Sequence, residues 1–293
     1  MKYLITGGSG LVGTHLINAL LKDGHQVVNL SRSARSSDRE GLTQLQWDGK
    51  SIPAEAGAID VVVNLAGANV GKRWTDSHKK MIMDSRVNGT RACANFINTA
   101  DHKPSVFISA SGTNYYGDDD TKPKTEKDGA GDGFLSKVCS AWEAEAHKAE
   151  TRTVILRIPP VLATDGGPLE KLLTPFKMFV GGPTGSGDQA FPWVHIEDMV
   201  RAIRVFSGNN ATEGPYNMAA PEIATNKQFS KLLGKALGRP SFFRIPKFML
   251  ELLFGEMSVV LWGGLVIKSD KIQQAGFEFK FPRLKEAFSD LLD

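Results

Sequence analysis

Apolar residues in the first half of the chain fall into short runs: KYLIT (2–6), QVVNLS (26–31), TQLQW (43–47), DVVVNLA (60–66), SVFISA (105–110) and TVILRI (153–158). Their brevity and β-branched content predict strands. Between them, apolar positions recur at helical spacing near 11–22, 76–99 and 133–149. Strands alternating with helices are the pattern of βαβ units, so an α/β fold is expected, with a doubly wound parallel sheet of Rossmann type.

After Pro159 and Pro160 the rhythm changes to glycine turns at 166–167 and 181–187 (GGPTGSG), then a helix near 196–207. YNMA (216–219) reads as a short strand, and TNKQFSKLLGKAL (225–237) as an amphipathic helix capped by Thr225 or Asn226 and stopped by Gly238. This divides the chain into a dinucleotide-binding domain, 1–165 with parts of 190–220, and a smaller, mostly helical substrate-side lobe, 166–293. FMLELLFGEMSVVLWGGLVI (248–267) is oily enough to suggest a membrane span. Glu251, Glu256 and its glycines favour a segment packed within the chain or against a second copy.

The composition, 41% hydrophobic and 23% charged over 293 residues, fits one large domain with a small appendage. A net charge of +3 without a basic block argues against nucleic acid or a membrane surface as partner and leaves small anionic ligands open. Cys93 and Cys139 are too few and too far apart for a metal quartet or a disulfide framework, which fits a reducing, cytoplasmic setting without metal. MKYLITGG has no apolar stretch of signal-peptide length, so no secretory leader is expected.

The densest signal is YLITGGSGLVGTHLINALL, with Gly7, Gly10 and Gly13 at the joint of the first strand and its helix, and Leu11 and Val12 between them. Gly7 permits the tight turn, Gly10 lets a pyrophosphate approach the backbone, and Gly13 lets the helix pack on the sheet. The second strand ends not in the acidic residue that holds an NAD ribose but in Ser31 and Arg32, followed by Ser33 and Arg35. A guanidinium pairs with a 2′-phosphate, so NADP(H) is expected over NAD. Asp48 is a candidate for the adenine amine or for capping the DGK turn.

These residues resemble the extended short-chain dehydrogenase/reductase superfamily: TGGSGLVG (6–13), NLAG (64–67), VNGT (87–90), ISAS (108–111), YYG (115–117) and WVHIEDMVRAI (193–203) fall in its order. RW (73–74), SRVNGT, SAWEAEA (140–146), GGPTGSG and AGFEF (275–279) resemble its atypical epimerase-family branch, which ends in a small C-terminal domain, here about 244–291. The resemblance implies a Rossmann sheet binding NADP(H), with Leu65, Ala66 and Gly67 along the cofactor, Pro159 to Val161 over the nicotinamide, and a small-molecule substrate between sheet and C-terminal lobe.

It also exposes what is missing. Superfamily members use a tyrosine with a lysine four residues later on one helical face, and a serine after the fifth strand. Ser111 matches the serine, but DGFLSKVCSAWE aligns Phe134 with the tyrosine and Val138 with the lysine, and Lys137 is turned about 100° away. Leu135, Val138, Cys139, Trp142 and Ala146 form an apolar stripe that favours core packing, with Cys139 inert. Tyr115 and Tyr116 are substitute donors or core packers. Arg86, where the superfamily has asparagine, holds a phosphate, a ribose or an anionic substrate, or else a surface ion pair. Arg73, Trp74 and His195 are substrate-side candidates, against capping and packing roles. Phe191 replaces the arginine common in nucleotide-sugar enzymes. Three readings stay open: an NADP(H)-dependent oxidoreductase or epimerase-like enzyme, a non-catalytic NADP sensor or scaffold, and a nucleotide-sugar epimerase.

Overall fold

The computed structural model describes residues 1–33, 38–119 and 121–293. Its centre is a seven-stranded sheet built from β1 (Lys2–Thr6), β2 (Gln26–Ser31), β3 (Leu42–Gln46), β4 (Val61–Asn64), β5 (Val106–Gly112), β6 (Thr153–Ile158) and the strand Gly214–Asn217. Their spatial order is Gly214–Asn217, β6, β5, β4, β1, β2, β3, with every neighbouring pair parallel. The order reverses between β1 and β4. In such sheets the crevice beyond the strand C-termini at that reversal is where ligands bind.

Helices cover both faces because the central strands are apolar on both sides. Tyr3, Ile5, Val61, Val63 and Ile108 pack with Leu16 and Leu20 of α1 (Leu11–Lys22) and with Met199 and Ile203 of α5 (Ile196–Gly208). Leu4, Val28, Val62, Phe107 and Ile155 point the other way, onto Ala92, Cys93 and Ile97 of α2 (Asp76–Thr99) and Ala146 of α3 (Phe134–Ala146). This is the period-two alternation of strands, and each such aliphatic chain taken from water contributes about 1.5–3 kcal/mol.

A satellite core joins α4 (Gly167–Lys177), α6 (Asn226–Ala236) and α10 (Leu284–Leu292) through Phe176, Trp193, Phe229, Leu233 and Phe288. The oily stretch after residue 247 breaks into α7 (Lys247–Phe254), a 3₁₀ turn (Gly255–Ser258) and α8 (Val259–Trp262), divided at Gly255 with φ 61°. Among the described residues no helix is long and apolar enough to cross a membrane. Met257 and its neighbours cover Trp74, Ile82 and Val138, so this segment packs onto α2, α3 and the loop before α2. A short α9 (Asp270–Gln274) precedes α10.

Two predicted strands shift. The third ends at Gln46, since Trp47 turns its ring against Gly89 of α2, and YNMA begins earlier, at Gly214, to pair with β6.

Candidate functional site

The glycine turn is shaped by contacts that only glycine satisfies. Gly7 has φ 73°, and a Cβ there would lie 2.7 Å from the Leu65 carbonyl carbon; one on Gly13 would lie 2.4 Å from the Gly7 oxygen. A Cβ on Gly10 would meet only the Gly7 oxygen, at 3.3 Å, so Gly10 presents bare backbone to the crevice. Gly10 is also the N-cap of α1, with no side-chain cap and no acidic residue in the first turn. The N–H groups of that turn are therefore open to an anion, the arrangement that fits a dinucleotide's pyrophosphate.

Beside this turn lies a hollow of about 400 Å³ lined by Gly8, Ser9, Asn29, Ser31, Arg32 and Ser33. The Ser31 hydroxyl donates to the Ser33 carbonyl at 2.9 Å, and the Arg32 side chain is exposed with no ion pair among the described residues. Arg35 lies outside the described residues. Asn29 donates from Nδ2 to Gln44 at 2.7 Å, while its buried Oδ1 has no hydrogen-bond partner among the described residues. Asp48 Oδ1 accepts from the backbone of Lys50 and Ser51 at 2.8 and 3.2 Å, which lowers its pKa and makes it the cap of its own turn.

On the other side of the glycine turn a cleft of about 430 Å³ runs inward, bounded by Gly7, Leu65, Arg86, Ser111, Ile158 and Val161. Gly10, Leu11, Val12 and Gly13 line its α1 wall. The loop between its walls is tied down by the motif residues: Thr6 donates to Asn64 at 2.6 Å, Asn64 to Thr90 at 2.8 Å, and the Ala68 N–H to Ser85 at 2.9 Å. These bonds explain the spacing of NLAG and SRVNGT. They hold the loop that carries Ala66 and Gly67 against α2.

Ser111, one residue before the end of β5, pairs with Arg157 of β6 and heads a chain of buried polar groups. Its Oγ donates to Glu143 Oε1 at 2.7 Å; Arg157 grips Glu143 through Nε at 2.9 Å and Nη2 at 2.8 Å. Arg157 Nη1 donates to the Tyr116 hydroxyl at 2.7 Å, which donates to Asn217 Oδ1 at 2.8 Å. Asn217 Nδ2 then donates to the Lys268 carbonyl at 2.9 Å, which ties the end of the sheet to the C-terminal region. Burial alone would lower the Arg157 pKa, but the Glu143 carboxylate raises it, so the guanidinium stays charged.

Neither tyrosine lines the cleft. Burial pushes the Tyr116 phenol up to about 12, and Tyr115 stacks with the Arg157 guanidinium 3.5 Å from its ring centre. The other substrate-side candidates also sit away from it. Trp74 is buried against Phe134, ring centres 5.1 Å apart, and donates to the Val70 carbonyl; Arg73 lies beside Gly255. His195 caps α5, its Nδ1 accepting from the Glu197 N–H at 3.1 Å, and lies 3.9 Å from the Phe281 ring. Burial lowers its pKa despite Asp290 at 3.3 Å.

Of the two aligned positions on α3, Phe134 and Val138, only Val138 lines the cleft. The Phe134 ring points to Trp74 and Lys79, whereas Leu135, Val138, Cys139 and Trp142 line the cleft. Two i, i+4 pairs therefore face the cleft, Leu135 with Cys139 and Val138 with Trp142, and neither holds a tyrosine or a lysine. The apolar stripe walls the cleft besides packing the core. Burial pushes the Cys139 thiol up to about 11. Arg86 reaches the same wall from α2, its Cζ 5.1 Å from the Trp142 ring, with no carboxylate partner among the described residues; the surface ion pair is not formed.

Glu143, Arg157, Asn114 and Asn217 were not anticipated. An arginine inside the otherwise apolar run TVILRI was the available signal, because a charge on a buried strand requires a buried partner. Among the described residues no cluster of His, Cys, Asp and Glu has metal-binding geometry.

A parallel sheet with this reversal, opening on a glycine turn at a free helix N-terminus, defines an NAD(P)-binding protein of Rossmann type. The chain belongs to the NAD-dependent epimerase/dehydratase family, whose model matches residues 3–219, and residues 245–291 match a domain of unknown function, DUF1731. It is similar to an epimerase family protein of Staphylococcus haemolyticus, 39% identical, over 100% of this chain and 99% of that one. Among solved structures it is similar to the human epimerase family protein SDR39U1 with NADPH: TM-score 0.92, 32% identity, covering 100% and 99%. A nucleoside-diphosphate sugar epimerase from Corynebacterium glutamicum gives TM-score 0.81 and 28% identity, covering 100% of this chain and 58% of that one.

Proposed function

We propose that the chain is an NADP(H)-dependent enzyme that moves a hydride to or from a small carbonyl or hydroxyl compound without a tyrosine–lysine pair. The observation that carries this reading is a pair of hollows flanking the glycine turn: Arg32 and Ser9 at one, Ser111 and the α3 wall at the other. The outer hollow suits a 2′-phosphate through the Arg32 guanidinium, and the human relative's structure contains NADPH. When bound, the nicotinamide supplies or receives the hydride. Ser111, whose hydroxyl rests on Glu143, can turn it onto the reacting oxygen, and Asn114 in the same cleft adds a polar contact. The reacting oxygen takes its proton from solvent when the carbonyl receives the hydride and releases it there in the reverse direction.

A second reading, a non-catalytic NADP sensor, draws support from the cleft's lack of a group that titrates near neutrality. The two separate in one assay, NADPH oxidation against a panel of carbonyl compounds. Turnover that falls about a hundredfold in Ser111→Ala, with NADPH affinity retained, is expected for the enzyme. Tight NADPH binding with no turnover across the panel would favour the sensor.

A further inference from the structure

The inner cleft has one charged side chain among its lining residues, Arg86, and that charge meets no carboxylate among the described residues. Arg86 Nη1 donates to the carbonyls of Ala68 and Ile82 at 3.1 and 3.2 Å, which fixes the guanidinium plane. Its Nε and Nη2 have no hydrogen-bond partner among the described residues. Trp142 flanks the guanidinium, and Gly67 covers it so closely that a Cβ there would lie 2.8 Å from Cζ. Cys139 and Ser111 line the same cleft as Arg86, with Cys139 Sγ 3.5 Å from where a Cβ on Gly112 would lie, so the cation shares the wall where the reacting group would sit.

We propose that Arg86 is an anion-recognition site and that the substrate carries a carboxylate, which the unused Nε and Nη2 edge of the guanidinium holds in a fork. This rests on the NADP(H) reading above and adds the class of substrate: a small carboxylate-bearing carbonyl or hydroxy compound. Two free N–H groups on a plane match the two oxygens of a carboxylate. One cation balances one negative charge, whereas a diphosphate would bring two or more. The pyrophosphate already has the α1 N-terminus and the bare backbone of Gly10. Burial lowers the Arg86 pKa, a cost that an incoming anion offsets. The cleft of about 430 Å³ must also hold the nicotinamide end, which restricts the remaining space to a small molecule.

The test uses the full chain saturated with NADP⁺, so that nothing is reduced, and reads binding by saturation-transfer NMR. Acetate, pyruvate and 2-oxoglutarate are the probes, with acetamide and pyruvamide as neutral partners. Wild type is expected to bind at least one acid about tenfold or more tightly than its amide, and Arg86→Gln to lose that difference while NADP⁺ affinity stays within about threefold. Arg86→Lys, which keeps the charge but not the fork, should retain part of it. Should Arg86→Gln not fold, Cys139→Asp places a carboxylate beside the intact guanidinium and should abolish the preference in the same way. Acids and amides binding alike, or no acid binding at high millimolar concentration, would overturn the proposal. So would a tenfold loss of NADP⁺ affinity in Arg86→Gln with the acid preference intact, which would give Arg86 to the cofactor's diphosphate. A wild type that binds no NADP⁺ would instead remove the NADP(H) reading itself, and the cofactor titration shows that separately.

Discussion

The two ends of the cofactor crevice are built differently. The outer end is backbone: glycines that exclude side chains, a helix terminus without a cap, and Arg32 beyond the second strand. The inner end is side chains: Ser111 held by Glu143, Glu143 by Arg157, and an arginine from α2 set against the apolar face of α3. Backbone sites tolerate little change, because their geometry is the fold itself. Side-chain sites can be rebuilt, and here the helix that carries a tyrosine and lysine in the superfamily presents Leu135, Val138, Cys139 and Trp142 instead.

The largest effect expected from separating the two ends is on stability. Arg157→Met leaves the buried Glu143 carboxylate unpaired and removes the donor to Tyr116, which should cost about 3–5 kcal/mol in chemical denaturation. A loss below about 1 kcal/mol would mean that the inner chain does not hold the structure. At the outer end Gly13→Ala forces a Cβ within 2.4 Å of the Gly7 oxygen and should cost about 1–3 kcal/mol. Gly10→Ala, by contrast, meets only a 3.3 Å contact, so it should fold normally yet bind NADPH far more weakly. Equal loss of stability in both glycine variants would blur the distinction between packing and ligand approach.

The smallest effect concerns His195, outside both ends. Its folded pKa lies below the ordinary 6.5, so the unfolded chain binds the extra proton first. The stability of the neutral, capping form is full above pH 6.5 and is lost as pH falls from there through the lowered folded value. The slope from this one group is at most about 1.4 kcal/mol per pH unit. His195→Asn keeps an N-cap side chain and should flatten that part of the stability–pH curve. An unchanged curve would assign the acid sensitivity to other groups.

The contrast also explains what was legible in the sequence. Glycine sterics and strand alternation are local, so the turn at Gly7, Gly10 and Gly13 and the order of the first six strands could be read directly. The face that α3 turns to the cleft is not local. Phe134 is held away from the cleft by Trp74, a contact that depends on the loop before α2, while Val138, one turn further along, lines it. Glu143 and Arg157 are neighbours only because α3 packs against β5 and β6. Tyr115 and Tyr116 stood in the right place along the chain to serve as donors, but Arg157 and Asn217 engage them. The stretch 248–267 has the hydropathy of a span, and Gly255 with the cover it provides over Trp74 and Val138 accounts for its folding back.

The central claim, an outer end kept for NADP(H) beside a rebuilt inner end, is tested most directly by titrating wild type and Arg32→Glu with NADPH and NADH. The account predicts that wild type binds NADPH at least about tenfold more tightly than NADH, and that Arg32→Glu abolishes or reverses this preference with little change toward NADH. Equal affinities in wild type, or a preference that survives in Arg32→Glu, would contradict it.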